Sequence, residues 1–550
     1  MDVTATAVAA PPLAGTGVRA AGDTVPVRVA AARLRALGCE VERVPGTAGR
    51  SAGRIDLLTG SGRGRAGCDI AWSASSAPLG DERDVQAACG LAHLHGLARG
   101  GPPRFLPVDH ASVCAGVLAA QAVTAAVLSE SRGGPALRAS VSVAGAALLA
   151  VAPYVADATA TRGAPSVPEA GEPPPFRSAD GVRFEIETLD PEAWLRFWRA
   201  LGAPPKAVAT AWGPFQRRFA TAVCPLPAAL FATLAALPLS AVRDTARECG
   251  VGVVPLRAVR GAAGEDPVSP WRLRGTGGAP GPDLPPWPAA GSGPLSGLRV
   301  VEATNRVQGP LAGLLLTLLG ADTVRVEPPG GDPMRGVPPL AGDLSARFAA
   351  LNRGKGAVRL DLKTAGGRRA AADLAASGHV LLYNWPPGRA ERFGLGADDL
   401  AARAPGLVHV HADGWADEDP GPGIPATDFL VQAHGGIADL VADGATAPAP
   451  SLVTLTDVLG GIIAAEAALA GLLLRARTGA GATARTALVD AARLLRRVGR
   501  GTAHLPRAGT PPVADPLAVA DAFPESFTTV HGVSLPRAPW TFAPLEGEGR

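Results

Sequence analysis

The stretch LRVVEATNRVQGPLAGLLLTLLGADTVRVE, residues 298–327, decides the fold. Its first six residues, LRVVEA, read as a strand. Gly309-Pro310 then turns the chain into an apolar helix, LAGLLLTLLGA, and TVRVE returns as a second strand. Working outward, GGRRAAADLAASG (366–378) predicts a helix, and HVLLYN (379–384) and LVHVHA (407–412) predict strands. Further helices are expected around 428–441 and 458–475. Strands alternating with helices imply a parallel sheet covered on both faces, a Rossmann-like α/β domain.

Two Pro/Gly-rich stretches punctuate the chain, TRGAPSVPEAGEPPP (161–175) and GTGGAPGPDLPPWPAAGSGP (275–294), and both read as exposed linkers. Between them GVRFEIETL suggests a strand and PEAWLRFWRALG an amphipathic helix, so a small α+β domain is expected. The chain also repeats itself. VQAACGLAHL (85–94) returns as VQAHGGIADL (431–440), and GVLAAQAVTAAVL (116–128) as GIIAAEAALAGLL (461–473), at offsets of about 346 and 345. AARLRALGCEVERV (31–44) echoes LLTLLGADTVRVE (315–327) at an offset of about 282, so the first copy lacks some 64 residues of the second. The expected domains are a degenerate α/β half at 1–160, a linker at 161–175, the small domain at 176–272 and a second linker at 273–294. A complete α/β domain at 295–500 and a tail at 501–550 returning to it follow.

Composition narrows the class. At 550 residues and 47% hydrophobic the chain is globular with room for several cores, and a net charge of +3 without basic runs gives nucleic-acid binding no support. Six cysteines without CxxC or His/Cys spacing predict reduced structural thiols, no metal site and a cytoplasmic setting. MDVTATAVAAPPLAG lacks the charged and apolar regions of a signal peptide. Alanine-rich runs such as 113–128 read as buried helices too short for a bilayer, so no membrane association is expected.

Lysine is rare here: Lys206, Lys355 and Lys363 are all there are, and two of them fall in LNRGKGAVRLDLK (351–363) beside Arg353 and Arg359. Ammonium and guanidinium groups together near strand ends suit a polyphosphate ligand. Downstream, YNWPPGRAERFG (383–394) offers Asn384, Trp385, Arg389 and Arg392 for an adenine edge and face. In the same order and spacing, the 294–336 stretch, NRGKGAVRLDLKTAGG, YNWPPGRAERFGLG, TDFLVQAHGG and TLTDVLGGIIAAEAALAGLLLRARTG resemble the class III CoA-transferases, the formyl-CoA and carnitine CoA-transferase (CaiB/BaiF) family, which also contains α-methylacyl-CoA racemases.

The resemblance implies that Lys363, Asn384, Trp385 and Arg392 surround the CoA nucleotide and that Gln308 and Gly309 lie near the thioester. It implies Asp457 as covalent nucleophile, with backbone N–H groups near Gly460 and Gly461 as oxyanion donors. No cofactor is implied beyond coenzyme A as substrate; the partners would be an acyl-CoA and a carboxylic acid. Lys355 is open between CoA contact and structural pairing, and Asp428 reads as the cap of the helix it begins. Racemisation is the alternative, but Thr427 stands where the racemase histidine would, and His409, His411 and His434 read as structural; a non-catalytic CoA-binding relative is the third reading. With Ser112 in the place of Asp457, the first copy would be inert, and the chain would be an intrachain pseudo-dimer with one competent site; a further homodimer is left open.

Overall fold

The computed structural model describes residues 10–545 apart from 47–50, 59–63, 76, 99, 162–170, 260–270, 292 and 445–446. Most of the first expected linker therefore lies outside the described residues. In the second half, six strands run parallel in the order Gly356–Arg359, Asp322–Glu327, Arg299–Ala303, Val380–Tyr383, Val408–Asp413, Ala482–Ala487. Numbered along the chain this order is 3-2-1-4-5-6, the doubly wound arrangement whose crevice opens at the carboxyl ends of strands one and four.

The first half keeps a reduced version. Its sheet runs Glu40–Val44, Gly17–Ala21, Ser51–Leu58, Gly64–Ala71, Leu137–Ser142. Among the described residues the first half has no counterpart of strand Gly356–Arg359 or helix Ala365–Ala376. This sheet is mixed: Ser51–Leu58 runs antiparallel to Gly17–Ala21. A parallel return needs a crossover of a dozen or more residues. Only six separate Val44 from Ser51, so the chain can come back only in the opposite direction.

Each sheet is finished by a strand from elsewhere. Trp271–Gly275 adds antiparallel to Ala482–Ala487 with Trp271 opposite Thr486, and Trp540–Pro544 adds antiparallel to Leu137–Ser142 with Trp540 opposite Val141. Val141 and Thr486 are related by the 345-residue offset, so the two edge strands occupy equivalent registers. The tail thus returns to the first α/β half and not, as expected, to the second. Residues 273–275, placed in a linker by their composition, belong to a strand.

Helices His110–Ser131 and Leu455–Thr478 pack against each other between the sheets. They are apolar all round because neighbours cover every side. With Val143–Thr161 they are long and apolar enough to cross a membrane by length and composition, which corrects the sequence reading of the first as too short; all but a few of their residues are buried inside the fold. Gly460 and Gly461 let Leu455–Thr478 approach helix Gln308–Leu318: a Cβ at Gly461 would lie 2.7 Å from the Gln308 carbonyl oxygen. The buried Glu466 carboxylate receives Arg33 Nε from the first half at 3.0 Å.

The small domain is a three-stranded antiparallel sheet, Phe176–Arg177, Arg183–Glu187 and Gly252–Pro255, covered by four helices between Pro191 and Cys249. Its core is aromatic, with Trp194 and Phe215 ring centroids 4.5 Å apart. All six cysteines are free and buried.

Replacing Arg33 by Met strands a buried carboxylate, and urea denaturation is expected to show a loss of about 3–5 kcal/mol at neutral pH. Burial raises the Glu466 pKa in the folded state and Arg33 opposes that rise. Without Arg33 the folded protein binds the proton more tightly than the unfolded chain, so the deficit shrinks as pH falls toward the usual carboxylate range.

Candidate active site

Asp457 lies in the first turn of the buried helix Leu455–Thr478, where orphan N–H groups require acceptors. Asp428 supplies one: its Oδ1 accepts from Thr456 N at 2.8 Å, Asp457 N at 2.9 Å and Thr456 Oγ1 at 2.6 Å. The first half repeats the device. Glu82 accepts from Ala111 N at 3.1 Å, Ser112 N at 2.8 Å and Ser112 Oγ at 2.6 Å. The next ring repeats as well, for Gln86 Oε1 accepts from Leu106 N and Gln432 Oε1 from Ser451 N. Asp428 is therefore a cap, but of the neighbouring helix: its own helix, Asp428–His434, has Thr427 at the N-cap position and no side-chain cap bond, which corrects the expectation that Asp428 caps the helix it begins.

The two halves differ in what the cap presents. Ser112 is buried. Asp457 is half-buried on the wall of a cleft of about 670 Å³. Small-domain residues Glu187, Phe215, Arg218 and Phe219 form one side of that cleft. Asn305, Arg306, Gln308, Asn384, Trp385 and Asp413, at the carboxyl ends of the second sheet, form the other. The small domain thus completes the site within the same chain.

Removal from bulk water, together with the charges of Asp428 and Glu187, holds the Asp457 carboxyl well above the usual carboxylate range, and Arg306 opposes the shift. Burial likewise raises Asp428, to about 6, against the hydrogen bonds it accepts.

Of the residues expected at the site, Gln308, Asn384 and Trp385 join Asp457 in the cleft. Asn384 spans the switch point: its Oδ1 accepts from Asn305 N and its Nδ2 donates to the Asn305 carbonyl, both at 3.0 Å. Gln308 Nε2 donates to the Asp413 carbonyl at 3.2 Å. Trp385 is propped edge-on against Phe393, ring centroids 5.2 Å apart. Gly309 is buried against Thr304 and does not line the cleft. Lys363 is exposed beyond the edge strand, and Arg392 is exposed on a short helix from which Arg389 lines the cleft instead.

Gly460 and Gly461 sit past the first four helical residues, where N–H groups are committed to the helix, so the oxyanion role expected of them does not fit their position. They are packing residues.

Lys355 is resolved as structural. Its Nζ lies fully buried, 2.8 Å from Glu302 Oε2 and 2.7 Å from the Pro310 carbonyl. Burial pushes its pKa down to about 8. A Cβ at Gly313 would fall 1.8 Å from Glu302 Oε2, so glycine is needed to admit the pair. Arg325 continues the network to Glu302 at 3.2 Å and Asp332 at 2.7 Å.

Sequence reasoning missed Arg306 and the small-domain wall. Arg306 stood inside the deciding stretch, at the carboxyl end of its first strand, but in an arginine-rich chain its residue type gave no signal. None of the cleft-lining residues is a histidine: His411 bonds the Trp385 carbonyl at 2.8 Å and His434 pairs with Glu418. Among the described residues no group of three or more His, Cys, Asp or Glu side chains is arranged to hold a metal.

With this geometry, the chain belongs to the CoA-transferase family III, whose model matches residues 62–269 and 295–508. An acetyl-CoA:oxalate CoA-transferase of Acetobacter aceti is 36% identical over 207 residues, 37% of this chain and 53% of that protein. A succinyl-CoA:mesaconate CoA-transferase of Haloarcula hispanica is 33% identical over 207 residues, 36% and 52% of the two chains. Among solved structures, Rv3272 from M. tuberculosis is 35% identical with a TM-score of 0.35, covering 37% of this chain and 57% of that one. A CaiB/BaiF family protein from Brucella suis is 33% identical with a TM-score of 0.34, covering 36% and 55%. The chain spans about half the length of the curated relatives it matches.

Replacing Asp428 by Ala is expected to cost about 2 kcal/mol or more in thermal or urea unfolding, because two buried N–H groups lose their acceptor. Glu82→Ala should cost a similar amount. Ligand-dependent chemistry at Asp457 should fall with the first substitution and persist with the second.

Proposed function

We propose that this chain is a CoA-transferase, moving CoA from an acyl-CoA donor to a carboxylic acid through a covalent aspartyl-CoA intermediate on Asp457. The observation that carries the reading is a carboxylate in the first turn of a buried helix, on the wall of a cleft at the switch point of a doubly wound sheet. Such a crevice is where this sheet type binds its ligands, and a carboxylate in a cleft walled by protein is a nucleophile poorly shielded by water.

In the mechanism Asp457 Oδ attacks the thioester carbon of the donor, the C–S bond breaks, and a mixed anhydride and CoA thiolate form. The thiolate attacks the aspartyl carbonyl carbon, giving the aspartyl-CoA thioester and releasing the donor's acid. The acceptor carboxylate then reverses both steps, leaving as its CoA ester and restoring Asp457. Trp385 and Asn384 offer a face and an edge to the nucleotide, and Gln308 with the Gly414 region lies along the path toward Asp457. Coenzyme A is substrate here, and the sequence calls for no other cofactor. The oxalate, mesaconate and glutarate transferases among the relatives make small dicarboxylic acids the first acceptors to test.

The absence of a histidine among the residues lining the cleft argues against racemisation, which needs a base on each face of the α-carbon. The buried Ser112 supports one competent site per chain, the two halves acting as a pseudo-dimer. Six free thiols support a reducing, cytoplasmic setting.

Intact-protein mass spectrometry after incubation with acetyl-CoA and succinyl-CoA is expected to show a CoA-sized adduct on the wild type and none on Asp457→Asn. Exchange of the α-proton in deuterated water without an adduct is the result that would replace this reading with racemisation.

Only ionised Asp457 attacks. Because its pKa is raised, the rate of adduct formation should keep climbing with pH beyond the usual carboxylate range before it levels off, measured by rapid-quench mass spectrometry.

A further inference from the structure

We propose that Arg306 binds the carboxylate of the acid that exchanges at Asp457 and positions that acid, the CoA acceptor, for attack. The proposal rests on the aspartyl-CoA reading above.

Arg306 ends the loop between strand Arg299–Ala303 and helix Gln308–Leu318, and it adopts a left-handed backbone at φ 66°. A non-glycine residue rarely takes that conformation, and where it does the surrounding structure enforces it, commonly at a functional site. Here the turn directs Arg306 into the cleft that Asp457 also lines. The small domain holds it from the far side, with the guanidinium carbon 5.5 Å from the Phe219 ring centroid. Phe219 is in turn tied to the first half, since its carbonyl accepts from Tyr154 Oη at 3.3 Å. All three parts of the chain therefore meet around this one side chain.

Two other cations line the cleft, and neither is free for this task beside Asp457. Arg218 is buried and committed to Glu187 Oε2 and the Ile186 carbonyl, both at 3.1 Å. Arg389 is exposed over Phe393. Arg306 is half-buried, acts electrostatically on Asp457, and makes no hydrogen bond or ion pair with another side chain among the described residues. It keeps its planar set of N–H donors for a ligand, and that fork matches a carboxylate in two parallel hydrogen bonds.

The chemistry needs such a group. In the second half-reaction an acceptor carboxylate oxygen attacks the Asp457 carbonyl carbon, the C–S bond breaks, and the electron pair leaves on sulfur. The thiolate then attacks the acceptor's acyl carbon, and the anhydride C–O bond breaks with its electron pair returning to Asp457. No proton or oxidant enters, but an anion must approach a site where other anions form. A guanidinium that holds one carboxylate oxygen leaves the other to attack.

The test works whichever acid is the natural acceptor. Any acyl-CoA that loads Asp457 releases its own acid, and by microscopic reversibility that acid is an acceptor. Succinyl-CoA with ¹³C-succinate and acetyl-CoA with ¹³C-acetate therefore report acceptor KM through label exchange in the wild type, Arg306→Lys and Arg306→Gln. Both variants keep a Cβ and a side chain at the left-handed position. Lys keeps the charge beside Asp457 but loses the fork.

The expected result is an acid KM raised roughly tenfold or more in Arg306→Lys and further in Arg306→Gln, with an unchanged Kd for CoA. An acid KM unmoved in both variants overturns the proposal. So does complete rescue by Lys, which would reduce Arg306 to a charge tuning Asp457, or a weakened CoA Kd with acid KM unchanged, which would make it a phosphate contact. Failure of the wild type itself to form an adduct would overturn the aspartyl-CoA reading, and this proposal with it.

Discussion

The buried N-terminus of helix Leu455–Thr478 is the constraint on which the site depends. A helix enclosed on all sides cannot satisfy its first N–H groups with water, and each one left alone would cost about 1–3 kcal/mol. Asp428 answers two of them and the Thr456 hydroxyl with a single oxygen. Gln432 then holds both Asp428 and the backbone of Ser451, so the chain entering the helix is fixed as well. Asp457 inherits its position from this arrangement. Its raised pKa follows first from burial and then from the capping carboxylate, which is also a neighbouring charge.

The first half shows which parts of this device are structural. Glu82 and Gln86 repeat the cap and the brace on a helix whose Ser112 is buried away from any cleft. A feature kept in both copies serves the packing of two central helices against each other. A feature kept in one, the carboxylate in a cleft, is not needed for that packing and is the one the proposed reaction uses. The exchange of edge strands follows the same division: Trp271 and Trp540 stand in equivalent registers, each closing a sheet of the opposite half. The halves cannot separate without opening both sheets, and the small domain is thereby held over the only one of these two sites that has a cleft among the described residues.

Charge in this protein is distributed by burial. Lys355, Glu302, Arg325 and Asp332 neutralise one another beneath the crevice and join the first two strands of the second sheet to the loops that follow them. Breaking such a network strands a buried charge, which makes it a device for fixing geometry more than for adding stability. Arg306, a few residues away in sequence, escapes it and faces the cleft.

The alternation of strand and helix from residue 298 onward was legible in the sequence because side-chain periodicity is local, and so were the repeat and Asp457, because motifs survive as contiguous strings. The strings could not say which cations face a ligand. Lys355 and Lys363 look alike along the chain, yet one is sealed against Glu302 and the other lies exposed, since burial depends on residues tens of positions away. Gly460 and Gly461 looked like oxyanion donors until the helix ladder claimed their N–H groups. The sequence by itself determined the elements, the duplication and the segment that carries Asp457. Tertiary structure alone decided that Ser51–Leu58 must run backwards, that the tail crosses to the other half, and that Arg306 meets Asp457. Each of these depends on connection length or on contacts between distant segments, quantities that local patterning does not encode.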